Sequence, residues 1–439
     1  MSDAPEPLTC LVIGTGGREH ALALALSRDP GVKAVHAAPG NPGIGAVAAL
    51  HEVDPMDGDA VAALAVEVGA DLVVIGPEAP LVAGVADAVR AAGIAVFGPS
   101  AAAARLEGSK AFSKEVMAAA GVPTAGSFTC TTPEEVDAAL DAFGAPYVVK
   151  DDALAAGKGV VVTRDRAEAK AHAASCGRVV IEEFLAGPEV SLFAVCDGTT
   201  AYPLQPAQDF KRIFDGGRGP NTGGMGSYSP LSWAPADLAT TVMESVVQPT
   251  LDEMNRRGAP FVGCLYVGLA LTETGPRVIE FNCRFGDPDV QPVLALLDSP
   301  LGGLLHAAAQ GRLAEVEPPR FRDGASVTVV LASAGYPESS SKGDVIRGVG
   351  VAGGVNDVDV IHAGTAIVDA PEPGDAEHRH LVTAGGRVLA VRAVGYDVSD
   401  ARARAYAAAD LISFDGLQRR SDIAAEPLGV VEGASLAEG

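Results

Sequence analysis

The chain has 439 residues, 48% of them hydrophobic, and a formal net charge of −24. That length exceeds one ordinary core and predicts two to four domains. The negative charge excludes broad electrostatic binding of duplex nucleic acid or of an anionic membrane surface.

No run of about eighteen apolar residues is free of charge, Gly or Pro, so no transmembrane helix is expected. The start, MSDAPEPLTC, lacks the basic region of a signal peptide, and six scattered Cys form no CxxC pair. Both point to a reducing, cytoplasmic setting.

In chain order, Thr9 to Ile13 is a short apolar run ending in Gly14-Thr15-Gly16-Gly17-Arg18-Glu19-His20, and the Ala/Leu stretch after it predicts a helix. Strand, Gly turn and helix open a Rossmann-like unit whose backbone N–H groups suit a phosphate. A nicotinamide fingerprint would need Gly in place of Glu19 and an acid closing the second strand. Val35 to Ala38 instead runs into Pro39-Gly40-Asn41-Pro42-Gly43, so that fingerprint fails twice. Strands over 71–76 and 94–97 end in Gly76-Pro77-Glu78 and Gly98-Pro99-Ser100, with a helix over 82–92 between them. In a doubly wound sheet such ends share one edge, where ligands bind, and Arg18, Asn41 and Glu78 lie nearby.

Residues 101–121 read as one helix with Lys110 and Lys114 on one side at i, i+4 spacing, and 132–143 as another. Tyr147-Val148-Val149 ends in Lys150, and Gly157-Lys158-Gly159 opens the next strand. This hairpin-like flap carries two cations for a phosphate chain, and it is not a Walker A loop, since no Gly-Lys-Ser/Thr opens a helix. Only 8 of the 32 basic residues are Lys, and four of those fall between positions 110 and 158. The strand over 178–181 runs into Glu182-Glu183-Phe184-Leu185, a hinge able to offer backbone groups to an adenine edge, and Glu189 can accept from ribose hydroxyls.

Asp209 to Arg212 precede a Gly-rich segment over 216–227, expected to cradle a ligand or to form a disordered lid. A long helix over 237–257 and a strand over 262–271 follow, the latter pairing with 277–281. Within RVIEFNCRFGDPDVQ (277–291), Glu280 and Asn282 sit two apart and share a strand face. A carboxylate and an amide oxygen are hard ligands suited to Mg²⁺ carrying nucleotide phosphates. Arg284 and the Gly286-Asp287-Pro288 turn add a cation beside them, as phosphoryl transfer requires. After Pro318-Pro319, strands near 325–332, 358–362, 365–368 and 387–394 and a helix over 400–412 predict a separate small α/β unit.

The strings GTGGREHALA, APGNPG, GPEAPLVAG, LEGSKAF, AAGKGVVV, VIEEFL, GPNTGGMGSYSP and VIEFNCRFGDPD follow one another in order. Together they resemble the phosphoribosylamine–glycine ligases, also called glycinamide ribonucleotide synthetases, an ATP-grasp family, and the resemblance runs from about residue 9 to about 425. It implies an α/β and α+β multidomain fold. An N-terminal Rossmann-like domain with a parallel sheet would span 1–105, an ATP-grasp core 106–122 and 190–323, its lid 123–189, and a C-terminal cap 324–430. The implied reaction joins glycine to 5-phosphoribosylamine through glycyl phosphate and cleaves ATP, in de novo purine synthesis. The implied protein is a cytoplasmic monomer acting on small molecules, without nucleic acid or membrane partners.

Carried over by residue, Lys110, Lys150 and Lys158 would contact ATP phosphates. Glu182, Glu183, Phe184 and Leu185 would frame adenine, and Glu189 the ribose. Glu280 and Asn282 would hold Mg²⁺ or Mn²⁺, with no further acid on the preceding strand. Arg284, Lys211, Asp209 and Gly286-Asp287 would surround glycine and the acyl phosphate, and Gly16, Gly17, Asn41 and Glu78 would hold phosphoribosylamine. One departure stands out. Where the family flap reads KADGLAAGKG, this chain has Lys150-Asp151-Asp152-Ala153-Leu154. Asp151 is expected to set a negative charge beside Lys150, and Ala153 to stiffen a bend, so that Gly at 153 would tighten ATP binding. A related ATP-grasp carboxylase, a nucleotide sensor and an NAD dehydrogenase are the competing readings.

Overall fold

The computed structural model describes residues 6–154, 159–369 and 379–425. Strands β1 (Leu8–Gly14), β2 (Val32–Pro39), β3 (Ala49–Leu50), β4 (Leu72–Ile75) and β5 (Ala95–Phe97) form a sheet in the order β3-β2-β1-β4-β5. All its pairings are parallel. β4 is buried throughout and β1 nearly so, because helices cover both faces of a parallel sheet and leave no solvent side. The C-terminal end of β1 delivers the Gly turn to the sheet edge. Gly14 has φ +129°, and a Cβ there would meet Glu19 Cγ at 2.6 Å.

The helix expected over 82–92 is Val85–Ala91, and a further helix, Glu78–Val82, precedes it across Gly84, which is in the left-handed conformation. Another expected helix is broken in two. Residues 101–121 become Ala101–Gly108 and Lys110–Ala120. The break is Ser109, extended at φ −143°, whose hydroxyl accepts from the Phe112 N–H as an N-cap. Lys110 therefore starts a helix rather than sitting inside one.

The next sheet contains β6 (Ser127–Cys130), β7 (Tyr147–Asp151), β8 (Val160–Thr163) and β9 (Val179–Glu182), in the antiparallel order β6-β9-β7-β8. The helices Pro133–Phe143 and Arg166–Ser175 pack on it around Val136, Leu140, Val149 and Ile181. β7 and β8 are the expected flap hairpin. Residues 155–158, with the expected phosphate contact Lys158, lie outside the described residues.

The chain then lays down β10 (Glu189–Asp197) and β11 (Ala201–Pro203), followed by β12 (Gln208–Asp209), β13 (Arg212–Phe214), β14 (Arg218–Asn221) and β15 (Gly226–Ser229). β16 (Val262–Thr272) and β17 (Gly275–Asn282) return to complete the sheet β11-β10-β16-β17. The Gly-rich segment, expected as a ligand cradle or a disordered lid, is ordered backbone: the β13–β14 hairpin leading into β15. Its glycines answer close approaches, since a Cβ at Gly226 would meet the Thr328 carbonyl at 2.6 Å.

Last come β18 (Ala325–Ala332), β19 (Val358–His362), β20 (Thr365–Asp369), β21 (Arg379–Thr383) and β22 (Arg387–Gly395). The unit expected from the change in texture shares its sheet with earlier strands. The sheet order is β12-β15-β18-β22-β19, so two of its five strands come from 208–229. β15 pairs with β18 from Gly226↔Val329 to Ser229↔Ser326. The apolar core is continuous across that seam, through Phe210, Leu265, Val329 and Val391. Among the described residues no helix is long and apolar enough to cross a membrane.

Candidate active site

The site is built around an irregularity in β17. Gly268 opposes Glu280, but Leu269 opposes Val278, so Ile279 is the extra residue of a bulge. Val278 and Phe281 are therefore both buried although three apart, and Glu280 and Asn282 face away from them together. In an unbroken strand Val278 would have shared their face. The bulge also turns the Ile279 carbonyl toward β7, where it accepts from Lys150 Nζ at 2.9 Å.

Glu280 stands in a ring of positive charge. Burial favours its neutral form, but Lys211, Lys150, Lys110 and Arg284 outweigh that and hold the carboxyl below its usual range. Among the described residues no three His, Cys, Asp or Glu form a metal cluster. Glu280 and Asn282 thus supply two hard oxygens, and phosphates and water would have to complete an octahedral shell, which fits Mg²⁺ chemistry. Asn282 Oδ1 also lies 3.5 Å from Arg284 Nη2.

Lys150, the last residue but one of β7, pairs with Glu182 at 2.9 Å, while Lys114 reaches the other oxygen of the same carboxylate at 3.2 Å. Lys114 also donates to Thr124 Oγ1 at 2.9 Å and to the Ala125 carbonyl at 3.1 Å. Burial, only partly offset by Glu182, brings its pKa down to about 8. The neighbouring Glu183 binds Arg277 at 2.9 Å and accepts from the Gly126 N–H at 3.2 Å, tying the β6–β9 sheet to β17. Both carboxylates expected to frame adenine are thus committed elsewhere, and Phe184 and Leu185 are half-buried alongside.

The flap departs from expectation as well. Asp151 follows Lys150 on the strand and so points to the opposite face. Asp152 is the anchored acid: it accepts from the Ala111 N–H at 2.9 Å and from Ser109 Oγ at 3.1 Å, and pairs with Arg178. Lys110 Nζ donates to the Ala153 carbonyl at 3.2 Å.

Lys211 pairs with Glu189 at 3.0 Å, so the acid expected at ribose is joined to a cation expected at glycine. With Ser191, Asp209, Tyr266 and Gly268 they line a small cavity beside Glu280. Burial opposes the Lys211 charge, but Glu189, Tyr266, Glu280 and Asp209 raise its pKa well above the ordinary lysine value.

At the N-terminal edge, Arg284 lies 3.3 Å from Glu78 and 3.0 Å from Glu107, and Arg18 lies 4.0 Å from Glu78. Glu107 also accepts from the Cys283 N–H at 2.7 Å. It was not anticipated, although it stands inside LEGSKAF.

The Gly286-Asp287-Pro288 turn packs on the first Gly turn. A Cβ on Gly17 would meet Asp287 Oδ1 at 3.1 Å, and one on Gly286 would meet Asp289 Oδ1 at 2.1 Å. The Asp287 carboxylate accepts from Gln291 Nε2 at 2.8 Å and from the Arg18 backbone N–H. The Gly16 N–H goes to Glu19 Oε2 at 2.6 Å. Two carboxylates therefore hold helix-terminal amides where a phosphate was expected.

The Asn41 side chain is bonded within the protein. Its Nδ2 donates to the carbonyls of Thr15 at 2.8 Å and His362 at 3.0 Å, and its Oδ1 accepts from Gly43 and Ile44 N–H, each at 2.9 Å. Those four bonds exhaust its amide, so its side chain shapes the turn.

The chain matches the family models described as phosphoribosylglycinamide synthetase N domain over residues 8–107, ATP-grasp (A) domain over 108–290 and C domain over 326–426. A phosphoribosylamine–glycine ligase from Streptomyces coelicolor is 64% identical over 421 residues, covering 95% of this chain and 99% of its own. One from Mycobacterium tuberculosis is 56% identical over 422 residues, covering 94% and 97%. The crystal structure of a phosphoribosylamine–glycine ligase from Thermotoga maritima superposes with a TM-score of 0.80 at 34% identity, covering 95% of this chain and 100% of that one. A biotin carboxylase domain from Hydrogenobacter thermophilus, with a TM-score of 0.71 at 18% identity over 95% of this chain and 92% of that one, shares the fold.

Proposed function

This chain belongs to the phosphoribosylglycinamide synthetase family, and from that premise we propose how its residues carry the reaction. The activity is that of a phosphoribosylamine–glycine ligase of purine biosynthesis, an ATP-dependent carbon–nitrogen ligase. A glycine carboxylate oxygen attacks the γ-phosphorus of ATP, ADP leaves, and glycyl phosphate forms. The amine of 5-phosphoribosylamine then attacks the acyl carbon, phosphate leaves, and the amine gives up a proton. No protein nucleophile is needed, so catalysis is positioning plus charge stabilisation.

The observation that carries this reading is the bulge in β17, which puts Glu280 and Asn282 on one face and turns the Ile279 carbonyl to Lys150 Nζ at 2.9 Å. Glu280 and Asn282 would hold Mg²⁺ or Mn²⁺, which neutralises phosphate charge when bound. Lys110 and Lys150 bind the phosphates, with Lys158 from the flap. The 182–185 backbone, beside Phe184 and Leu185, meets the adenine, and Glu189 the ribose. Lys211, Arg284, Asp209 and Asp287 surround glycine and the acyl phosphate, the close turn at Gly286 letting them converge. Gly16, Gly17 and Glu78 border phosphoribosylamine.

The proposed division keeps an N-terminal domain over 1–105, a core over 106–122 and 190–323, a lid over 123–189 and a cap over 324–430, with the cap's sheet borrowing two core strands. A monomer is proposed, in a cytoplasmic setting that the scattered free thiols support.

The test is ADP release from the purified protein with Mg²⁺. Release that needs both glycine and 5-phosphoribosylamine supports the reading. Release driven instead by bicarbonate and an aminoimidazole ribotide would make it a carboxylase of the same fold.

A further inference from the structure

Arg387 opens β22 and reaches out of the C-terminal unit to the Gly286-Asp287-Pro288 turn. Its Nη2 lies 3.0 Å from Asp287 Oδ2, and its Nη1 donates to the carbonyls of Asp287 and Gly223. The Gly223 N–H in turn donates to Tyr336 OH at 2.9 Å. Both backbone groups of Gly223, in the Gly-rich loop, are thus held by side chains from beyond residue 330. The fit leaves no slack: a Cβ on Gly223 would meet Arg387 Cζ at 3.0 Å, and one on Gly386 would meet the Tyr336 ring at 2.3 Å. On its other side the Asp287 carboxylate takes Gln291 and the Arg18 N–H, and it borders Gly17. One guanidinium therefore joins the Gly-rich loop to the acid that packs on the first Gly turn.

We propose that Arg387 and Tyr336 are positioning residues that complete the pocket for a primary-amine substrate, clamping the Gly-rich loop and presenting the Asp287 carboxylate to that amine. The inference rests on the reading of Asp287 as a substrate residue. Two of the substrates are primary amines, glycine and phosphoribosylamine, and whichever KM moves identifies the one Asp287 receives. Two cations face Asp287, Arg387 from β22 and Arg18 from the helix Gly17–Ser27. Burial raises its pKa, but these cations outweigh burial and hold it below the usual range. Asp209, Asp289 and Tyr336 are the further charges and titratable groups around Arg387.

The experiment compares Arg387→Met, Arg387→Lys, Tyr336→Phe and Asp287→Asn in the full chain, with KM for each substrate and the pH profile of kcat/KM. Arg387→Met is expected to raise the KM of one amine substrate at least tenfold while the ATP KM stays within twofold. Its acid limb is expected to move to higher pH, because Asp287 loses its nearest cation, and Arg387→Lys is expected to bring the limb back. Unchanged KM values with an unmoved limb, or an equal rise in all three KM values, overturn the proposal. If Arg387→Met does not fold, Tyr336→Phe decides: a threefold or greater rise confined to one amine substrate supports the clamp, and wild-type kinetics overturn it. Impaired Asp287→Asn beside wild-type Arg387→Met removes only the clamp. Wild-type Asp287→Asn removes the reading of Asp287 itself, and the clamp with it.

Discussion

Glu182 Oε2 lies 2.9 Å from Lys150 Nζ, at the point where β9 ends. The other oxygen is taken by Lys114 at 3.2 Å, and all three side chains are buried. Breaking a buried ion pair by removing one partner costs about 3 kcal/mol or more, because an uncompensated charge stays behind. Glu182→Gln should therefore lower Tm, and adding Lys114→Met should recover part of the loss by removing one orphaned cation. A double variant whose loss is the sum of the two single losses would contradict the shared-carboxylate arrangement.

Glu280 faces four cations, Lys211, Lys150, Lys110 and Arg284. Replacing it should cost phosphoryl transfer more than folding. Glu280→Ala is expected to cut turnover at least about 10²-fold, roughly 2.7 kcal/mol in barrier height, with the far-ultraviolet spectrum unchanged. Steady-state ADP release near the wild-type rate would remove this residue from the metal shell.

Ala153 replaces a family Gly, yet among the described residues only Asp357 and Ala424 are non-glycine positions with positive φ. Ala153 thus needs no glycine backbone, and its carbonyl already accepts from Lys110. Gly at 153 is expected to destabilise by roughly 0.4–1 kcal/mol through the unfolded chain and to leave the ATP KM unchanged. A lower ATP KM in Ala153→Gly would restore the stiffened-flap expectation.

His20 and His362 join the N-terminal sheet unit to β19. His20 Nδ1 accepts the His362 N–H at 2.7 Å, so protonating that nitrogen breaks the bond. Burial, then His362, lowers the His20 pKa to about 3, and burial lowers that of His362 to about 4. In the unfolded chain both titrate near 6.5. From pH 6.5 down to about 4 and 3, the unfolded state binds protons that the folded state refuses, so stability falls as pH falls through that window. His20→Asn keeps an acceptor that cannot be protonated there. Its Tm should fall less steeply between pH 7 and 4.5, and an unchanged slope would rule out His20 as a source of the acid sensitivity.

What the sequence discloses follows range of interaction. β1 with its Gly turn, the β7–β8 flap and the β16–β17 pair are read from local alternation and turn residues, and the structure contains all three. The strings around Gly16, Lys150 and Glu280 point to the family, and the family models and relatives agree. The break at Ser109 was missed because its cap partner, the Phe112 N–H, leaves no mark in apolar periodicity. The seam between β15 and β18, the Lys114–Glu182–Lys150 triad and Arg387 were missed for a different reason. Each joins segments some 30 to 100 residues or more apart, and pairing at that distance has no period to read. Asn41 was found by position, and only the fold reveals that its side-chain amide is fully spent.

The most direct test follows one oxygen atom. Glycine labelled with ¹⁸O in its carboxylate is turned over with ATP and 5-phosphoribosylamine, and the released phosphate is weighed by mass spectrometry. Phosphoryl transfer to the glycine carboxylate, poised by Glu280 and its lysines, is expected to leave one ¹⁸O in each phosphate. Phosphate that carries no label, released at the rate of product formation, would contradict it.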